Sequence, residues 1–246
     1  MQPFSGAEAR LLHRDGAVLV LDKPAGLPVH RGPRGGASVE DWLPALALGK
    51  RRPPQPAHRL DTDTAGCLVL GRTRPALAAL GALFAAGAVE KVYWAVVRGA
   101  PPPEPEGEIS APLLKRSTAR EGWRMVVDPA GQPAVTRWRV LGRRGGDDGL
   151  AWLELRPRTG RTHQLRVHCA HLGCPILGDA RYGGPPGGDP GGGGGEAGGP
   201  PLHLLARAIA LPLDPSMGPP VAATAPVPPH MRAALAACGW REEGAA

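Results

Sequence analysis

The sequence is poor in cysteine, tyrosine and phenylalanine, and it has no long apolar run. Four cysteines (Cys67, Cys169, Cys174 and Cys238) in 246 residues do not make a disulfide framework. A reducing cytoplasm is therefore the expected compartment. The longest weakly polar stretch, Pro75–Val89, is rich in Ala and Gly and too short to span a bilayer. The first 18 residues carry Glu8 and Asp15 and no apolar core, which excludes a signal peptide from the expectation. Acidic residues are also the minority: 29 Lys and Arg against 22 Asp and Glu leave a net charge of +7, which favours a polyanionic partner.

Glycine (36) and proline (30) are abundant, and at that level could signal disorder, but 42% hydrophobic residues argue against it. The glycines are also clustered: residues 183–201 hold 11 Gly and 5 Pro in 19 positions. That segment cannot bury apolar surface and is expected to be a mobile surface loop.

The rest alternates strand and helix signals without regular βαβ order. Ala17–Asp22 and Gly66–Gly71 read as buried strands. Ser38 and Asp41 have capping-box spacing and predict a helix to Leu48, with Pro44 able to shorten it. Thr73-Arg74-Pro75 starts a helix to about Ala86. Strands follow at 89–98, 135–141, 150–156 and 203–213, with helices from Thr162 to Gly173 and over 226–238. The expectation is an α+β fold: a mixed, largely antiparallel sheet with flanking helices, forming one domain over 1–246.

Three segments carry possible chemistry. In His58-Arg59-Leu60-Asp61-Thr62-Asp63, a carboxylate beside cations stays ionised at neutral pH and suits a nucleophile or base. An ordinary exposed turn with a salt bridge fits that segment at least as well. In Lys91-Val92-Tyr93-Trp94, one of only two tyrosines shares a strand face with Lys91 and offers a ring that can stack on a base. A half-buried strand aromatic is the bland alternative. From Arg156 to Arg181, five arginines face one acid, Asp179. If 162–172 is helical, Leu165, Cys169 and Leu172 form its apolar stripe and His163 and Arg166 share a neighbouring face. Arg161 and the free N–H groups of the first turn then make an anion site, or else the face is simply solvated. His163, His168, Cys169, His171 and Cys174 do not converge on a helix, so no metal is expected.

Together these segments resemble the pseudouridine synthases, in the branch with an HRLD motif. The resemblance runs from LDKPAGLPVH (Leu21–His30) through HRLDTDTAG and EKVYWAVVRG to RTGRTHQLRVHCAHLGCPILGDARYG. It implies isomerisation of uridine to pseudouridine in tRNA or large-subunit ribosomal RNA, without cofactor or metal, by a monomer with no separate N-terminal RNA-binding domain. The essential aspartate falls on Asp61, and the tyrosine that stacks on the uracil falls on Tyr93. The arginine that pairs with the aspartate falls on Arg166. Arg59 matches the residue that occupies the gap left by the flipped base, and Arg161 and His163 stand among the substrate-binding positions. Leu205 departs from the family, which often has His there. Whether the carboxylate attacks C1′ or deprotonates the ribose stays open. A catalytically silent RNA-binding or ribosome-assembly factor on the same scaffold is the alternative.

Overall fold

The computed structural model describes residues 6–33, 35–99, 101–118, 122–144, 149–183, 199–215 and 218–242. Most of the 183–201 segment lies outside the described residues. The chain divides into two units: Met1–Val92 with Leu205–Pro226, and Tyr93–Leu204 with Val227–Ala246.

The first unit holds strands β1 (Leu11–Arg14), β2 (Val18–Lys23), β3 (Gln55–Pro56) and β4 (Ala65–Gly71) and helix α1 (Arg74–Ala85). It also holds most of β11 (Leu204–Leu211) and all of β12 (Val221–Thr224). Its strand order is β1-β2-β4-β11, with β3 on β4 and β12 on β11. The apolar runs that announced β2 and β4 are covered on both faces: Val18–Leu21 and every residue of β4 are buried. Continuous burial of that kind belongs to central strands. Thr73 caps α1 as its spacing predicts, its hydroxyl accepting the Ala76 N–H at 3.2 Å. The Ser38/Asp41 capping box forms, yet the helix predicted beyond it does not. Two 3-10 turns, Val39–Asp41 and Ala45–Ala47, replace it, and Pro44 stands between them. Pro44 has no N–H to continue an α-helical ladder.

β4 pairs with β11 in parallel, Ala65 opposite Leu205 and Gly66 opposite Ala206. Gly66 has φ +105°, and a Cβ there would lie 2.3 Å from the Ala206 carbonyl oxygen. Gly66→Ala is expected to lose about 3 kcal/mol or more, since both the left-handed backbone and the close approach resist a side chain. Urea denaturation reads this directly; a midpoint within error of wild type would refute it.

In the second unit, β5 (Glu90–Arg98, from Tyr93 on), β10 (Leu150–Pro157), β9 (Val135–Arg144) and β6 (Glu106–Ser110) lie in that order, each antiparallel to its neighbour. β7 (Leu113–Thr118) and β8 (Gly122–Val127) form a separate hairpin. The sequence reading did not find β6, β7 or β8. β7 (LLKRST) and β8 (GWRMVV) are mostly exposed or half-exposed and mix short apolar pairs with polar residues, so neither has the long or alternating apolar run by which strands are read. Helices α2 (Gln164–His171) and α3 (Pro229–Ala237) complete the unit. The α2 stripe packs as expected: Leu165 and Cys169 are buried in the core with Leu153, Leu155 and Ile176, and Leu172 lies against it. The observed fold class is the expected one, an α+β structure with a mixed, mostly antiparallel sheet.

Candidate active site

Asp61 follows buried Leu60 and precedes a tight turn in which the Thr64 N–H donates to the Asp61 carbonyl at 3.2 Å. Asp61 is half-buried, whereas Arg59, Thr62 and Asp63 are exposed. The turn is anchored on both sides. Before it, His58 stacks on Phe84 at 4.5 Å and its Nε2 accepts the Val69 N–H at 3.0 Å. Burial, with the nearby Lys91 charge, pushes the His58 pKa down to about 4, so the ring is neutral at physiological pH and can accept that bond. After it, the Lys23 ammonium donates to the carbonyls of Thr62 (2.8 Å), Pro24 (2.8 Å) and Leu27 (2.7 Å).

Lys23 is the residue anchoring this turn that sequence reasoning passed over. It is fully buried, and burial pushes its pKa down to about 8 against the opposing charges of Asp63, Asp61 and Asp22. At neutral pH it is still an ammonium, with three N–H donors matched to three carbonyls. Its place inside LDKPAG was the available signal, but Lys on a short strand ordinarily reads as solvated. Lys23→Met is expected to cost about 3 kcal/mol by stranding buried carbonyls. Loosening the Asp61 turn should lower kcat on the order of 10²-fold. Thermal denaturation and single-turnover rates test the two parts, and an unchanged rate would separate Lys23 from the site.

In the second unit, Tyr93 is half-buried on β5, opposite Leu155 and packed against the core. Arg166 is buried, so it does not belong to a solvated helix face. Its Nε and Nη2 donate to both oxygens of Asp179, at 2.7 and 2.8 Å. Its guanidinium lies 5.2 Å from the Tyr182 ring centroid. Burial works to raise the Asp179 pKa, but the Arg166 hydrogen bonds and charge, with the N–H groups of Tyr182 and Arg181, outweigh it and hold the carboxyl below its usual range. His163 reaches the same tyrosine, Nδ1 to Oη at 2.9 Å, so His163 and Arg166 do converge on one group.

The start of α2 departs from the predicted pattern. His163, at φ +53°, is the N-cap in place of Thr162. The anion site expected from Arg161 and open N–H groups is partly filled by protein. The Gln164 side-chain Oε1 accepts from the Arg161 N–H (3.0 Å) and from the Thr159 hydroxyl (2.7 Å). The Arg161 Nε donates to Pro133 O at 3.1 Å, while the side chain remains exposed. The Gln164 amide also donates to Thr136 Oγ1 (3.0 Å), which bonds His168 Nδ1 at 2.9 Å, and His168 Nε2 donates to Ala111 O at 3.0 Å. With both nitrogens engaged, His168 serves the fold. Among the described residues, no three His, Cys, Asp or Glu side chains gather as metal ligands, and no helix is long and apolar enough to cross a membrane.

This fold and the anchored HRLD turn define a class of RNA-modifying isomerase. The sequence profile of the RNA pseudouridylate synthases matches residues 17–171, and the chain belongs to that family of RNA uridine isomerases. An RNA pseudouridine synthase of Zymomonas mobilis is 47% identical over 175 residues, covering 71% of this chain and 78% of that protein. The ribosomal large subunit pseudouridine synthase D of Xanthomonas campestris is 38% identical over 245 residues, covering 96% of this chain and 70% of that one. The match spans only 40% of the mitochondrial relatives from Arabidopsis thaliana. The solved structure of human RNA pseudouridylate synthase domain containing 4 superposes with a TM-score of 0.75 at 30% identity, over 96% of this chain and 95% of that one. These likenesses favour the isomerase over a catalytically silent scaffold.

Proposed function

We propose that this protein converts uridine to pseudouridine in structured RNA, as a single catalytic domain, with Asp61 as its essential carboxylate. The observation that carries the assignment is the Asp61 turn itself. A half-buried carboxylate follows an exposed arginine, and the turn is fixed by an ammonium with every donor engaged. The reaction needs such a group. It breaks the C1′–N1 glycosidic bond, turns the freed uracil and rejoins it through C5. The target must first leave its stack, at a cost of a few kcal/mol. Arg59, exposed two residues before Asp61, fills the vacated space. Tyr93 stacks on the extruded base. We assign Arg166, fixed by its two bonds to Asp179, as the arginine that works with the carboxylate. Exposed Arg161, half-buried His163 and the exposed run Lys50-Arg51-Arg52 hold phosphates.

Of the two RNA classes, tRNA and large-subunit ribosomal RNA, the second is favoured by the name of the Xanthomonas relative, which aligns over nearly the whole chain. The enzyme works as a monomer in the cytoplasm; four free, buried cysteines suit a reducing compartment. The deciding experiment is to map pseudouridine in transcribed large-subunit ribosomal RNA and in tRNA incubated with the purified protein. New pseudouridine at discrete positions in the ribosomal transcript is expected; none in either RNA would refute the assignment.

A further inference from the structure

Trp123, on the β7–β8 hairpin, is the one large apolar side chain exposed among the described residues, at 37%. A single exposed indole is ordinary; its surroundings are not. The Lys115 ammonium lies 5.0 Å from the ring centroid and the Arg181 guanidinium 4.8 Å from it. The His163 ring stands 5.1 Å away, tilted by 34°. Two cations on one ring repel each other, and among the described residues no carboxylate pairs with either. Asp179, the nearest acid in sequence to Arg181, is buried in the fork with Arg166. Placing an anion against the two cations relieves that repulsion.

The cluster is also held in place before any ligand arrives. Arg181 Nη1 donates to the Trp123 carbonyl at 2.9 Å. Tyr182 Oη accepts the Met125 N–H at 3.2 Å and bonds His163 Nδ1 at 2.9 Å, tying the hairpin to the start of α2. A fixed aromatic edge with cations beside it offers a π-surface for a base and charge for the flanking phosphates. A protein partner would require apolar area that one indole does not supply.

We propose that Trp123, Lys115 and Arg181 form a second RNA-binding element, which takes an unpaired nucleotide of the substrate other than the reacting uridine. Trp123 stacks on its base, and the two cations hold the adjoining phosphates. The identity of the partner as RNA rests on the function proposed above; the composition of the site stands on these contacts alone.

The test uses the full chain and two fluorescent probes, a twelve-residue oligouridylate and a duplex RNA of the same length. Trp123→Ala should weaken oligouridylate binding by about tenfold, and Trp123→Phe, which keeps a stacking ring, should stay within about threefold of wild type. Duplex affinity should be insensitive to both. Lys115→Ala and Arg181→Ala should each reduce the steepness of the salt dependence by somewhat less than one phosphate-equivalent, while Trp123→Ala leaves the slope unchanged. Wild-type oligouridylate affinity in Trp123→Ala would overturn the proposal. So would equal losses in the Ala and Phe variants, which would mark the ring as structural. Turnover of a ribosomal RNA transcript, measured alongside, separates the two claims. If wild type forms pseudouridine and Trp123→Ala matches it in KM and affinity, only the stacking element fails. If wild type is inert on RNA while Trp123→Ala still loses oligouridylate binding, only the enzymatic assignment fails.

Discussion

Asp61→Asn is expected to lower pseudouridine formation by at least about 10⁴-fold, the scale set by removing an essential nucleophile. RNA affinity should stay within about threefold, because removing a negative charge beside a polyanion does not weaken attraction. The substitution keeps the shape of the side chain. The backbone bond from the Thr64 N–H to Asp61 O and the three Lys23 bonds do not involve the carboxylate, so the turn should survive. The variant does lose one of the charges that oppose the downward shift of Lys23. A small stability loss is therefore expected at pH 6, where Lys23 is protonated in either protein, and it should shrink as pH rises through about 8, where the buried lysine deprotonates. Single-turnover assays with saturating enzyme, paired with filter binding, decide the main point. Product formation at a rate near wild type, or a drop in affinity that accounts for the lost rate, would remove Asp61 from the chemistry.

Arg166→Ala carries the largest expected effect on stability. It leaves the Asp179 carboxylate, whose side chain is fully buried, with only the Arg181 and Tyr182 N–H groups, each 3.0 Å from Oδ1. Removing one partner of a buried pair costs about 3–5 kcal/mol. For a chain of this size that is a fall in Tm of roughly 10 °C. The pH dependence has a definite sign. In wild type the Asp179 pKa is depressed, so its stabilisation is complete above the unfolded value near ~4 and is lost as pH falls through the folded value. In the variant, burial dominates and the folded pKa rises, so protonation relieves the buried charge. The deficit should shrink as pH is lowered toward ~4. A deficit independent of pH would mean that lost packing against Tyr182, rather than the stranded charge, is responsible. The pair Arg166→Met with Asp179→Leu should recover most of the stability and none of the activity. Recovery of both would show that Arg166 has no part in the reaction.

The sequence was most readable where one residue pattern had one physical solution. The apolar runs at 18–23 and 65–71 are strands buried on both faces, and Thr73 with Pro75 starts α1 at the expected place. The HRLD segment was visible as a motif, but nothing in its composition separated a catalytic turn from a surface salt bridge. The structure shows that turn anchored by Lys23, more than thirty residues upstream, whose burial could not be read from a short strand ending in Asp-Lys. The β7–β8 hairpin was invisible for the opposite reason: its short apolar pairs are mixed with polar, mostly exposed residues and make no periodic signal.

The amino-acid order by itself therefore determined the buried apolar strands, the α1 cap, the apolar stripe of α2 and the HRLD motif as a motif. Those depend on neighbours within a few positions, where spacing dictates geometry. Only tertiary structure decided which charges meet. Arg166 fastens to Asp179 and lies against Tyr182, Gln164 Oε1 takes the Arg161 N–H just before α2, and Lys115 and Arg181 gather around Trp123. An arginine can reach any carboxylate that the fold brings within a few ångströms, and spacing along the chain does not reveal which those are.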